Sequence, residues 1–296
     1  MSKKEDNKKE EEKKEKKGGV NAAKIKGKTE EQIRKEEMSK EKLRRKIKNE
    51  FITEKKVAVG EIPCLKFLPN NDKKEYPTLL YYHGWSSNKE FQRFKANIMA
   101  SYGYQVIVPD AINHGERNPV KFEEERALER YLLETVHHSI KEAPILIDYI
   151  KDLKETDQNR IGVMGTSMGG LISSGVFIQQ QILKTLVVFN GACAWHKLES
   201  FDQTEELEKH KEYKEKLAKY DPVKNLEALN ERPVLLLHGD MDTSIPIEAQ
   251  RYFYEKALDY YNDERKLRFV EIPRMDHYIS TGMLENAVAF NKDYLK

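Results

Sequence analysis

Ser167 stands at the centre of Gly165-Thr166-Ser167-Met168-Gly169-Gly170, directly after the apolar run 161–164 and before an apolar stretch of helical character. A serine hydroxyl becomes a nucleophile when a sharp strand-to-helix turn presents it to a base. Only small residues two positions to either side let the backbone cross itself there. The helix that opens at Met168 would also aim its free NH groups and positive dipole end at developing negative charge.

Three more segments carry residues that such a serine needs. In Leu79-Leu80-Tyr81-Tyr82-His83-Gly84-Trp85 an apolar strand runs into His-Gly, where Gly84 lets the main chain approach a substrate closely. An oxyanion hole needs two fixed NH donors, and the residue after the nucleophile, Met168, together with Trp85 in the loop after this strand, would supply them. The Trp85 ring can pack while its NH does this work, and His83 reads as a hydrogen-bonding support of the loop. In Val234-Leu235-Leu236-Leu237-His238-Gly239-Asp240-Met241-Asp242-Thr243-Ser244-Ile245-Pro246 a second apolar strand ends among carboxylates. A base histidine requires a carboxylate to fix its tautomer, and either Asp240 or Asp242 has the chemistry. In Ile272-Pro273-Arg274-Met275-Asp276-His277-Tyr278 a histidine follows the last strand. Asp276 is a poor partner for it, because adjacent side chains diverge. His277 completes the chain order Ser, Asp, His.

These groups require elements to hold them. Strands are expected at 57–59, 62–68, 78–82, 105–109, 160–164, 185–189, 234–237 and 267–272, the first two as an antiparallel lead-in. Helical stretches such as 89–101 and 249–260 separate the rest. That alternation predicts an α/β fold, a mostly parallel eight-stranded sheet with helices on both faces. Phe91, Phe94, Ile98 and Met99 share one face of the first helix and are expected in the core. The connection 191–232 is long, and the spacing of Leu207, His210, Tyr213, Leu217 and Tyr220 gives it a small helical cap. Trp195 and His196 enter that cap from a strand end and, with Trp85, are candidates for a substrate pocket; an ordinary packing role for Trp195 fits equally.

The four loops together resemble the α/β-hydrolase superfamily, and more narrowly the intracellular bacterial esterases related to the prolyl oligopeptidase catalytic domain. The resemblance covers about residues 57–296. In that family the pattern HGxxDxxVP carries the catalytic acid at its inner Asp, so the resemblance assigns the acid to Asp242, with Ile245 a conservative variant. It implies a triad of Ser167, Asp242 and His277 and a small-molecule ester as substrate. A peptidase acting on short peptides is the alternative within the class, and a non-catalytic binding protein of the same fold the alternative outside it. Residues 109–117, Pro-Asp-Ala-Ile-Asn-His-Gly-Glu-Arg, resemble the family's loop after the fourth strand and read as turn structure. A serine at 167 departs from the dienelactone hydrolases, which use cysteine.

Composition sets the remaining bounds. Of the 296 residues, the first 50 hold 19 Lys/Arg and 12 Asp/Glu, a charge of +7, while the rest carry 33 and 38, or −5. The body is therefore mildly acidic, with no basic stripe for nucleic acid. Residues 1–28 lack the apolar surface to order themselves and are expected to be disordered. From Thr29 to Glu50 a capping-box pattern and a thin apolar line predict a charged helix, a solvated arm whose basic excess suits an anionic partner. No 18-residue apolar run exists, and the opening Met1-Ser2-Lys3-Lys4-Glu5-Asp6 is charged, which leads to a cytoplasmic expectation. Cys64 and Cys193 are then unpaired small apolar residues. No HExxH, CxxC pair or nucleotide loop is present, His137 and His138 diverge on a helix, and no cofactor is implied.

Overall fold

The computed structural model describes residues 49–198 and 208–295. The chain divides into two units, residues 1–50 and 51–296. The expected disorder over 1–28 and the charged helix from Thr29 as far as residue 48 lie outside the described residues, as does the stretch 199–207 of the expected cap.

The body is built on one sheet: β1 (Ile52–Val59), β2 (Ile62–Pro69), β3 (Tyr76–Tyr82), β4 (Gln105–Pro109), β5 (Thr156–Thr166), β6 (Thr185–Phe189), β7 (Val234–Gly239) and β8 (Leu267–Ile272). Their spatial order is β1-β2-β4-β3-β5-β6-β7-β8. β2 pairs antiparallel with β1 and β4, and every later pairing is parallel. β4, β6 and β7 are buried along their whole length, which is why their sequences are continuous apolar runs rather than alternating ones. Successive residues still face opposite layers. Leu80, Val163, Val188 and Leu236 join a core under α2 (Ala127–Asp152), α3 (Met168–Gln179) and α5 (Glu248–Ala257). Leu79, Met164, Val187 and Leu235 join the other, under α1 (Arg93–Ser101) and α6 (Thr281–Tyr294). Between β6 and β7 the chain forms several short 3₁₀ turns and α4 (Glu208–Leu217), which packs on α2. Among the described residues no helix is long and apolar enough to cross a membrane.

One core assignment is corrected. Phe91 and Phe94 are 58% and 69% exposed, while Lys89, Gln92, Ala96 and Met99 are buried. The cause is local: residues 89–92 form a 3₁₀ turn capped by Asn88, which rotates the apolar face expected of a continuous α-helix. That rotation brings Lys89 inward to Asp110, whose carboxylate accepts from Lys89 Nζ at 2.5 Å and from the NH groups of Lys89 and Glu116 at 2.8 and 2.9 Å. A Cβ on Gly115 (φ +56°) would stand 2.2 Å from that carboxylate, so the loop after β4 closes only with glycine there. Residues 109–117 are thus an anchored turn, in line with their sequence.

Two other polar anchors set the strand ends. Arg232, just before β7, spends five N–H groups on backbone carbonyls: Leu229 (3.1 Å), Gln180 (3.1 Å), Leu183 (3.0 Å), Phe177 (2.8 Å) and Ala228 (2.7 Å). Its guanidinium lies 3.7 Å from the centre of the Phe177 ring. At the other end of the sheet, buried His83 donates from Nδ1 to Gly84 O (2.8 Å) and accepts the Ala111 NH at Nε2 (3.0 Å). Burial, reinforced by neighbouring His114, pushes the His83 imidazole down to about 4. The two cysteines are buried and unpaired.

Lysine cannot reproduce the five-donor fork, so Arg232→Lys should lower the unfolding free energy in urea by about 2–4 kcal/mol. For His83 the folded value lies below the unfolded 6.5, so the unfolded chain binds the extra proton between those values and stability falls as pH drops from about 6.5 to 4. His83 accounts for a loss on the order of 3 kcal/mol across that window. Urea unfolding of His83→Gln against the parent should show a flatter pH slope, and equal slopes would remove the assignment.

Candidate active site

The carboxyl ends of β3, β5, β7 and β8 open on one edge of the sheet, where α/β proteins build sites. Ser167 lies between β5 and α3 with φ 56° and ψ −121°, a conformation that costs a non-glycine residue about 1–3 kcal/mol. The surroundings enforce it. A Cβ on Gly165 would lie 1.9 Å from Gly169 O, and one on Gly169 would lie 2.2 Å from Tyr82 O. The Ser167 NH donates to Phe189 O at 2.9 Å, which ties the turn to the end of β6.

The structure brings Ser167, His277 and Asp242 into one hydrogen-bonded line. Ser167 Oγ lies 2.9 Å from His277 Nε2, and His277 Nδ1 lies 2.7 Å from Asp242 Oδ2. A carboxylate on Nδ1 fixes the proton there, which leaves Nε2 to accept from the serine. Asp242 Oδ1 accepts from the NH groups of Ser244 (2.9 Å) and Ile245 (2.8 Å). Burial by itself would push the Asp242 carboxyl up; hydrogen bonds from His238, His277 and the Ile245 NH outweigh it and hold the group well below the usual carboxylate range.

Asp240 points elsewhere, accepting the Arg274 NH at 2.6 Å. Asp276 also avoids the His277 ring. Its carboxylate takes the NH groups of His277 and Thr243, both at 2.8 Å, and the Thr243 hydroxyl at 3.0 Å. It therefore fastens the histidine loop to the acid loop. The backbone does the same, since Met241 NH donates to Met275 O at 3.0 Å and a Cβ on Gly239 would stand 2.2 Å from that oxygen.

Gly84 passes so close to the serine that its added Cβ would lie 3.3 Å from Ser167 Cβ. This sets the Gly84–Trp85 backbone beside the hydroxyl. Met168 is the first residue of α3, and NH groups of a first helical turn have no partner one turn earlier. The Trp85 ring is half-buried and meets His114 and Phe122 edge-on at centroid distances of 5.0 and 5.2 Å.

Trp195 is corrected from pocket to core. It is buried, its indole N–H donates to Ala192 O at 3.0 Å, and a Cβ on Gly175 would meet its ring at 2.8 Å. His196 is exposed and packs edge-on against Tyr252 of α5, with Nδ1 3.5 Å from Asp221. The rings of His137 and His138 stand at 90° to one another, with Tyr213 of α4 near both. Among the described residues no three side chains gather as a metal site.

One contributor escapes the sequence reading. His238 Nε2 donates to Ile245 O at 2.9 Å and lies 3.2 Å from Asp242 Oδ2, so a second imidazole stands behind the carboxylate. The signal was present as the His-Gly that ends β7, a repeat of the His83-Gly84 that follows β3.

The geometry can be set against known proteins. YitV of Bacillus subtilis (strain 168) is 27% identical over 252 residues, covering 80% of this chain and 97% of its own. The esterase YjfP of Escherichia coli (strain K12) is 25% identical over 248 residues, with the same coverage of both chains. Among solved structures, TT1662 from Thermus thermophilus superposes with a TM-score of 0.67 at 20% identity, covering 83% of this chain and 98% of that one, a likeness of fold. The sequence model of the prolyl oligopeptidase family matches residues 89–295, which include the serine turn, the acid loop and the histidine loop, so the chain belongs to the prolyl oligopeptidase family, Peptidase_S9.

Proposed function

We propose that this protein is a serine hydrolase that cleaves carboxylic esters through an acyl-enzyme intermediate. The observation that carries the reading is the continuous line from Asp242 through His277 to Ser167, assembled from three separate loops. The similarity to the esterase YjfP over nearly all of that protein's length supports the substrate class.

In this reading His277 Nε2 takes the proton of Ser167 Oγ as the oxygen attacks the ester carbonyl carbon. The carbonyl electrons move onto oxygen, where the NH groups of Met168 and Trp85 receive the negative charge. The C–O bond to the leaving alcohol then breaks, and the imidazolium returns its proton to the departing oxygen. A water, deprotonated by the same nitrogen, attacks the acyl carbon and releases the acid and the free serine. Asp242 stays ionised throughout, because its carboxyl is held low, and it keeps the histidine in the required tautomer. The aromatic pair Trp85 and Phe122 beside the proposed oxyanion site suits a small or aromatic acyl group.

Family membership favours one second reading, hydrolysis of short peptides by the same groups. A panel of activated esters and aminoacyl amides separates the two, with higher kcat/KM on esters expected and the reverse order overturning the assignment.

A fluorophosphonate probe should label the parent protein and leave Ser167→Ala unlabelled, with ester turnover of the variant lower by about 10⁴-fold or more. Equal labelling would move the nucleophile elsewhere. Asp242→Asn should lose about 10³–10⁴-fold in kcat because the histidine tautomer is no longer enforced. Asp240→Asn, which keeps its oxygen for the Arg274 NH, should stay within about tenfold. The reverse ranking in steady-state ester kinetics would transfer the role to Asp240.

A further inference from the structure

Asn190 follows the last residue of β6 and is 1% exposed. Its backbone has φ 44°, in the left-handed region that asparagine tolerates better than most residues. Its NH continues the sheet by donating to Leu237 O at 2.8 Å. Its side chain leaves the sheet in two directions. Oδ1 accepts the Gly239 NH at 3.1 Å, at the root of the acid loop, and Nδ2 donates to Tyr278 O at 2.8 Å, one residue beyond His277. The amide orientation is determined by these partners, since a flipped amide would set donor against donor and acceptor against acceptor. The preceding carbonyl, Phe189 O, receives the Ser167 NH.

We propose that Asn190 is the positioning residue that holds the acid loop and the histidine loop in register with the nucleophile turn. The dipeptide Phe189-Asn190 is bonded to all three loops, and the inference rests on the triad proposed above. Apart from the His277–Asp242 bond itself, the side-chain links described between the acid and histidine loops, Asp276 to Thr243 and Asp240 to the Arg274 NH, lie at the exposed surface and join those two loops only to each other. Asn190 ties them to the end of β6, whose last carbonyl also accepts the Ser167 NH. Its two bonds are satisfied by one amide, and neither asparagine-sized hydrophobes nor a carboxylate can supply both a donor and an acceptor there. The residue contacts none of the reacting atoms and acts on rate only by placing the histidine.

The test compares the full-length parent protein with Asn190→Ala and Asn190→Asp. Asn190→Asp retains an acceptor for Gly239 but sets a carboxylate oxygen against Tyr278 O. Both variants should lose about 10²-fold in kcat, the loss that a displacement of roughly 1 Å produces, with KM changed by less than about threefold. The low-field proton resonance of the His277 Nδ1–H to Asp242 bond should be present in the parent and lost or broadened in both variants, while cooperative thermal unfolding is retained. Should Asn190→Ala fail to fold, Asn190→Asp decides by the same resonance. Parent-like kcat with an intact low-field proton in a folded variant overturns the proposal. If the parent shows no ester turnover yet its low-field proton vanishes in the variants, the ester reading fails and the positioning role stands.

Discussion

The close crossing of main chain at the Ser167 turn is the constraint on which the rest of the site depends. Gly165 and Gly169 touch, and Gly169 also lies against the carbonyl of Tyr82 at the end of β3. One steric contact therefore brings together the serine, the first turn of α3 and the loop that begins at His83. A side chain at either glycine would push the serine strand from β3 and part the hydroxyl from the Gly84–Trp85 backbone. The unfavourable φ of Ser167 is sustained because the parallel sheet clamps the turn on both sides, with β3 against one edge of β5 and β6 against the other.

Electrostatics follows from the same placement. Asp242 is buried, and its charge is met by the His277 ring and the NH groups of Ser244 and Ile245, with His238 Nε2 3.2 Å behind it. Neutral His83, under the loop after β3, has the opposite logic, since burial drives out its proton and lets Nε2 accept from the Ala111 NH. Lys89 and Asp110 extend the pattern to the loop after β4, where a buried pair is satisfied by backbone NH groups as well as by the counter-charge.

The helical insertion between β6 and β7 is rooted in the core. Trp195 fills space beside Gly175, its NH donates to Asp221, and the Val223 NH donates to Cys193 O, so the entry and exit of the insertion are tied together. Arg232 closes its far end onto the carbonyls of α3 and the following turn. The insertion thus bears directly on α3, the helix that starts at the serine.

Most of the frame was legible in the sequence. Continuous apolar runs and their spacing give β4, β6 and β7 to within two residues, because strands buried on both faces leave no other pattern, whereas β1, exposed along much of its length, was legible only at its end, 57–59. The Gly-Thr-Ser-Met-Gly-Gly turn was legible because sterics admit so few residues there. Residue chemistry left Asp240 and Asp242 open, and the resemblance chose Asp242; in the fold Asp242 meets the His277 ring while Asp240 accepts the Arg274 NH. The burial of Lys89 and exposure of Phe91 and Phe94 were hidden because a short 3₁₀ turn changes which face looks inward. Trp195 was ambiguous for a similar reason, as its sequence position says nothing of the space beside Gly175. Asn190 carried no local signal at all, for its partners lie 49 and 88 residues away and only the packed sheet brings them within reach. Short-range sterics and periodicity are written in neighbouring residues, whereas the choice among chemically equal groups is made by contacts between distant ones.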